Sequence, residues 1–198
     1  MFHYIKYTLF HVLAIPLIIG LTIGGNGLYL GFICTAGIIV FGDLFLGDDD
    51  STPEFNKSGI LTLQLWVSLP LIIFVNFLLM WSISDSDPLS YGALIESLTG
   101  HDALAARANN TIPGIIGAVL GCSLLSAIVG TIVGHELTHR TWDPISLFIG
   151  RWLLAFSWDT GFSIEHVYGH HAYVGSTEDP ATAPRGRNVY QHIAISTY

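Results

Sequence analysis

Four stretches of this chain, residues 7–23, 28–46, 60–83 and 112–133, are continuous apolar runs. Each is close to the ~20 residues a helix needs to cross the hydrocarbon core of a bilayer. Backbone amides inside lipid have no water to bond, so such runs close their hydrogen bonds internally as helices. Composition agrees: 51% of residues are hydrophobic and only 11% are charged, against about 25% charged in a soluble domain. The expected fold is therefore all-α, a polytopic transmembrane helical bundle with four spanning helices. A net charge of −8 with only seven Lys and Arg leaves no basic patch, and nucleic acid is excluded as a partner.

A fifth apolar segment, residues 145–164, is interrupted by Arg151 and Asp159 and carries Trp152 and Trp158. That mixture predicts a short, interfacial or bundle-buried helix. Asp159 reads either as a functional carboxylate within an apolar run or as a partner of Arg151. Gly24-Gly25-Asn26-Gly27 predicts a tight turn between the first two helices. Residues 48–57 and 84–111 read as polar loops. Pro16, Pro70 and Gly130 read as tolerated kinks or close-packing points, and Cys34 and Cys122 as small buried fillers. With Lys6 placed in the cytoplasm, four crossings also put Lys57, Arg140, Arg151, Arg185 and Arg187 there, leaving Arg107 outside. The positive-inside rule favours that orientation, so everything after Val133 is expected on the cytoplasmic side. The whole chain, 1–198, is expected to form one domain.

Chemistry concentrates in the histidines. Of nine, five fall in two groups, His135-Glu136-Leu137-Thr138-His139 and Glu165-His166-Val167-Tyr168-Gly169-His170-His171. His135 and His139 are four apart and share a helical face; His166 and His170 repeat that spacing. His171 points elsewhere on the same helix, within reach of a second metal. Each group directly follows an apolar segment. Neutral imidazole suits iron, copper and zinc. A ligating imidazole needs a partner for its other ring nitrogen, and Glu136 and Glu165 are candidates for that role or for metal binding. His3, His11, His101 and His192 stand alone. The first group also spells HExxH, in which two histidines hold zinc and the glutamate acts as base. One zinc needs only one further protein ligand plus water, and three more histidines follow here, which favours two metals. A metal transporter, a further alternative, would carry ionisable ligands near the middle of its helices; the four spans lack them.

The sequence HELTHR, His135 to Arg140, resembles the first histidine box of the alkane 1-monooxygenase family, within the membrane fatty-acid desaturase and hydroxylase superfamily. EHVYGHH, Glu165 to His171, resembles its second box, and TEDPAT, Thr177 to Thr182, resembles the stretch that follows. DLFLGDDDSTPE, Asp43 to Glu54, is similar to the family's acidic loop after the second span. The family carries further histidines, in an EHYG-type motif and an HxxHH-like box. Neither occurs before Tyr198, so the chain reads as an N-terminal fragment. The resemblance implies histidine boxes at the cytoplasmic face of a multi-pass protein of the bacterial inner membrane. It implies O2-dependent terminal hydroxylation of a medium- or long-chain alkane from the bilayer. Two irons would be held by His135, His139, His166, His170, His171 and later ligands. Electrons would come from a rubredoxin with an NAD(P)H-dependent reductase. A membrane desaturase acting on an acyl chain and a membrane zinc protease working through His135, Glu136 and His139 are the alternative readings.

Overall fold

The computed structural model describes residues 2–179 and 181–196, and among these every regular element is helical. Four helices are long and apolar enough to cross a membrane: His3–Ile23, Gly27–Leu46, Ser58–Ser82 and Ile112–Thr138. They match the four expected spans, extended by up to five residues at an end, and the chain is an integral membrane protein. Many of their large apolar side chains, such as Ile33, Phe41, Leu44, Leu63 and Ile73, are exposed. That is the arrangement lipid requires.

The chain divides into two compact units, Met1–Val133 and Gly134–Tyr198. In the first, the glycine-rich turn joins the opening spans as a hairpin, with Gly24 and Gly25 at φ of 70° and 52°. The two backbones approach so closely that a Cβ on Gly20 would lie 2.4 Å from the Gly27 carbonyl oxygen. Small residues at such crossings let helices in lipid gain contact through their backbones. Leu17, Leu21, Leu28, Ile72, Val75, Leu78, Leu125 and Val129 form the buried interior of this unit. Pro70 lies inside the third span. Gly130 falls in a π-helical turn, Ser126–Thr131, within the fourth. Cys122 is buried as expected, but Cys34 is exposed, because it faces outward from the first hairpin.

Residues 84–111, read from sequence as a polar loop, fold into two short helices, Tyr91–Thr99 and Ala103–Arg107. Asp87 makes this possible. Its carboxylate accepts from the indole N–H of Trp81 at 2.8 Å and from the amides of Gly92 at 2.8 Å and Ala93 at 3.2 Å. Those bonds satisfy the amides at the start of the first short helix and hold the Asp87 carboxyl below the usual carboxylate range. Arg107 stacks over the Trp81 ring at 4.7 Å and donates to the carbonyls of Trp81 and Ser86.

In the second unit, Asp143 caps the helix Pro144–Ala155, accepting from the amides of Ile145 and Ser146. Pro144 occupies the first turn, where its missing N–H costs nothing. The helix then stops. Trp158 adopts φ 61° and is 95% exposed, and helix resumes only at Phe162. The fifth apolar segment is thus two helices, the first only about 18 Å long. Asp159 lies in the exposed break, not within an apolar helix. Arg151 donates instead to the Ser163 hydroxyl at 3.1 Å. Pro144–Ala155 packs tightly on the turn that carries the first histidines. A Cβ on Gly150 would lie 2.9 Å from Leu137 Cβ and 3.0 Å from the Gly134 carbonyl oxygen. Leu137, Thr138, Ser146, Leu153, Leu154 and Ser163 are buried around this crossing.

Candidate metal centre

Both histidine groups lie within the second unit, and the geometry selects among them. His135 and His139 project from one face of the helix Ile132–Thr138 and the residue that follows it, with their Nε2 atoms 3.0 Å apart. The second group is not α-helical. Residues Glu165–His170 form a π-turn, in which the repeat is i to i+5. This decides which histidines meet. The expected α-helical pairing of His166 with His170 gives way to a pairing of His166 with His171, five residues on. Their Nε2 atoms are 3.0 Å apart. His166 Nε2 also lies 2.7 Å from that of His135 and 3.3 Å from that of His139. The ligand atoms of His135, His139, His166 and His171 all fall within 4.8 Å of one another.

Hydrogen bonding does not account for this convergence. A neutral imidazole nitrogen carries either one proton or one lone pair, so His166 Nε2 can bond only one of its three neighbours. A shared cation accounts for all of them. Metal–nitrogen bonds of about 2.0–2.1 Å put nitrogens on one ion roughly 3 Å apart. The four imidazoles therefore fit a metal ion with histidine ligands. Burial, followed by repulsion from His135, His171, His139 and His170, pushes His166 down to about 4. It stays neutral at physiological pH, the form in which imidazole binds metal. Phe162 covers the site from one turn earlier, stacked on His166 at 4.5 Å and edge-on to His135 at 5.6 Å.

His170 stands outside the four. Its Nδ1 lies 2.8 Å from Asp179 Oδ2, and its ring stacks on His166 at 5.3 Å. Asp179 is buried and also accepts from the Thr182 hydroxyl and the Ala181 amide. Burial opposes its charge, but these donors with His170 prevail and hold its carboxyl below the usual range. Sequence reasoning missed both Asp179 and Phe162. TEDPAT carries only a family similarity; the local clue to Asp179 is a carboxylate eight residues after a histidine box. Phe162 was visible only as an aromatic residue four before His166.

Neither glutamate in the boxes meets a ligand imidazole among the described hydrogen bonds. Glu136 is exposed and ion-pairs with Arg140 at 3.3 Å; Glu165 is exposed. Of the isolated histidines, His11 contacts Ser68, His101 the Ile23 carbonyl and His192 the Ala181 carbonyl.

The part of the chain that carries both histidine groups resembles known proteins. Residues 109–198 match the fatty acid desaturase family model. The chain is 38% identical over 80 residues to alkane 1-monooxygenase 1 of Pseudomonas aeruginosa, covering 40% of this chain and 21% of that protein. It is 36% identical over 75 residues to alkane 1-monooxygenase of Acinetobacter baylyi, covering 37% and 18%. It is 31% identical over 106 residues to alkane 1-monooxygenase of Pseudomonas putida, covering 52% and 24%. The matched part thus spans about a fifth of the length of these relatives. No solved structure matches the chain. The match to the fatty acid desaturase family thus falls on residues 109–198, which carry both histidine groups, and the chain is similar over part of its length to proteins named alkane 1-monooxygenase.

Proposed function

We propose that this chain is part of a membrane alkane hydroxylase that converts a medium- or long-chain alkane to a 1-alkanol with O2. The observation that carries the reading is the clustering of four imidazoles from two histidine boxes, their ligand atoms within 4.8 Å of one another. The similarity to proteins named alkane 1-monooxygenase supports the substrate class. Imidazole ligands are compatible with iron, and bound iron would supply the activation of O2 that an unactivated methyl group demands. His135, His139, His166 and His171 would hold one ion, and His170 would serve a second in company with histidines outside this chain. Neutral imidazoles contribute no negative charge to the site, and Phe162 keeps an apolar wall against them. The overall reaction puts one oxygen atom into a terminal C–H bond and releases the other as water, consuming two electrons and two protons. A rubredoxin reduced by an NAD(P)H-dependent reductase is the proposed electron source. The substrate is drawn from the lipid around the spans, in a bacterial inner membrane with the histidines on the cytoplasmic face.

The test is whole-cell. The gene, read past codon 198, is expressed with a rubredoxin and its reductase. Octane and a long-chain alkane are supplied, and products are resolved by mass spectrometry. A 1-alkanol carrying oxygen from labelled O2, with iron copurifying, is expected. An unsaturated acyl product without alkanol would transfer the protein to the desaturases. Zinc in place of iron, with proteolysis lost on Glu136→Gln, would make it a protease.

A further inference from the structure

We propose that Asp179 is a positioning residue of the metal centre, acting through His170; the inference rests on the metal-centre reading above. The side chain of Asp179 is 0% exposed. A carboxylate so enclosed is stable only where donors replace the water it gave up. Two donors are local: the Ala181 amide reaches Oδ1 at 3.0 Å, and the Thr182 hydroxyl reaches Oδ2. Both would serve an ordinary surface turn equally well. The third, His170 Nδ1, comes from the second histidine box, nine residues upstream, at 2.8 Å from Oδ2. His170 is the only ion-pairing partner of Asp179 among the described residues.

The chemistry follows from the acceptor. An ionised carboxylate has no proton to give, so Nδ1 of His170 must be the donor. In the neutral ring the remaining lone pair is then on Nε2. This is the tautomer a ligand needs, with a carboxylate on the other nitrogen to fix the ring and raise its basicity. The loop is held in turn. The Gly175 amide donates to the Thr182 hydroxyl at 2.9 Å, and His192 Nε2 contacts the Ala181 carbonyl at 3.1 Å. Asp179 therefore ties a rigid loop to the one box histidine that the four-histidine cluster leaves out.

The experiment compares metal held by the detergent-purified protein against a graded chelator, for wild type and five variants, with helical content checked by circular dichroism. Asp179→Asn is expected to weaken retention of the ion served by His170 by about 10–100-fold, and His170→Ala at least as much. The double variant should lose no more than His170→Ala alone. Thr182→Val, which removes a loop bond but keeps the carboxylate on His170, should stay within about twofold of wild type. Asp179→Glu, which retains an acceptor, should hold more metal than Asp179→Asn, and it decides the matter if Asp179→Asn does not fold. Wild-type retention in a folded Asp179→Asn would overturn the proposal. So would losses that multiply in the double variant, or an equal loss in Thr182→Val, since either would mean that Asp179 merely builds the loop. A wild-type protein that holds no metal would defeat the metal-centre reading itself, an outcome distinct from these.

Discussion

Substituting alanine for Gly150 puts a methyl group where the structure has no room. The added Cβ would lie 2.9 Å from Leu137 Cβ and 3.0 Å from the Gly134 carbonyl oxygen. Carbon atoms settle at about 3.5–4.0 Å, so the first contact is short by roughly 0.6–1 Å. One of the two groups is backbone, which cannot rotate away. The helix Pro144–Ala155 and the turn bearing His135 and His139 must therefore separate. Overpacking of this kind typically costs about 1–3 kcal/mol. The displacement also exceeds the ~0.2 Å within which ligand distances must hold, so metal retention should fall together with stability. Gly169, inside the second histidine box, is the control. Nothing lies within 4 Å of a Cβ there. Gly169→Ala should be neutral, or stabilising by up to about 1 kcal/mol through a less flexible unfolded chain. Thermal unfolding in detergent, read by circular dichroism and paired with metal analysis, measures both variants. The reasoning is refuted if Gly150→Ala unfolds at the wild-type midpoint with full metal, or if Gly169→Ala is the more damaging change.

His166 Nε2 is the nitrogen closest to all three others, so His166→Ala should abolish metal retention while helical content is kept; unchanged metal by elemental analysis would argue against a shared ion. Glu136→Gln should leave metal content unaltered and shift stability by less than about 1 kcal/mol, since an exposed i,i+4 pair contributes little; loss of metal would return Glu136 to the site. Asp87 has a folded-state pKa below its unfolded value, so its stabilisation is complete above about pH 4 and fades as pH falls through the folded pKa. The difference in unfolding midpoint between wild type and Asp87→Asn should accordingly shrink on acidification from pH 7 to pH 3, and a constant difference would count against the assignment.

The spans were legible because lipid imposes a length and a polarity on any helix that crosses it, and residues 7–23, 28–46, 60–83 and 112–133 meet both tests locally. The two histidine groups were equally plain, since spacing along one chain brings His135 and His139 to one face. What sequence could not determine was anything set by a change of helical repeat or by contact across the chain. An α-helical repeat pairs His166 with His170; the π-turn at Glu165–His170 pairs it with His171. The fifth apolar segment reads as one short helix, yet it breaks at Trp158. The loop at 84–111 looked irregular until Asp87 supplied the caps for a helix. Gly150 has no distinguishing local signal, and Asp179 only its place eight residues after a histidine box. Their roles exist only because folding buries one carboxylate against His170 and presses one glycine against Leu137, contacts that no pattern along the chain encodes.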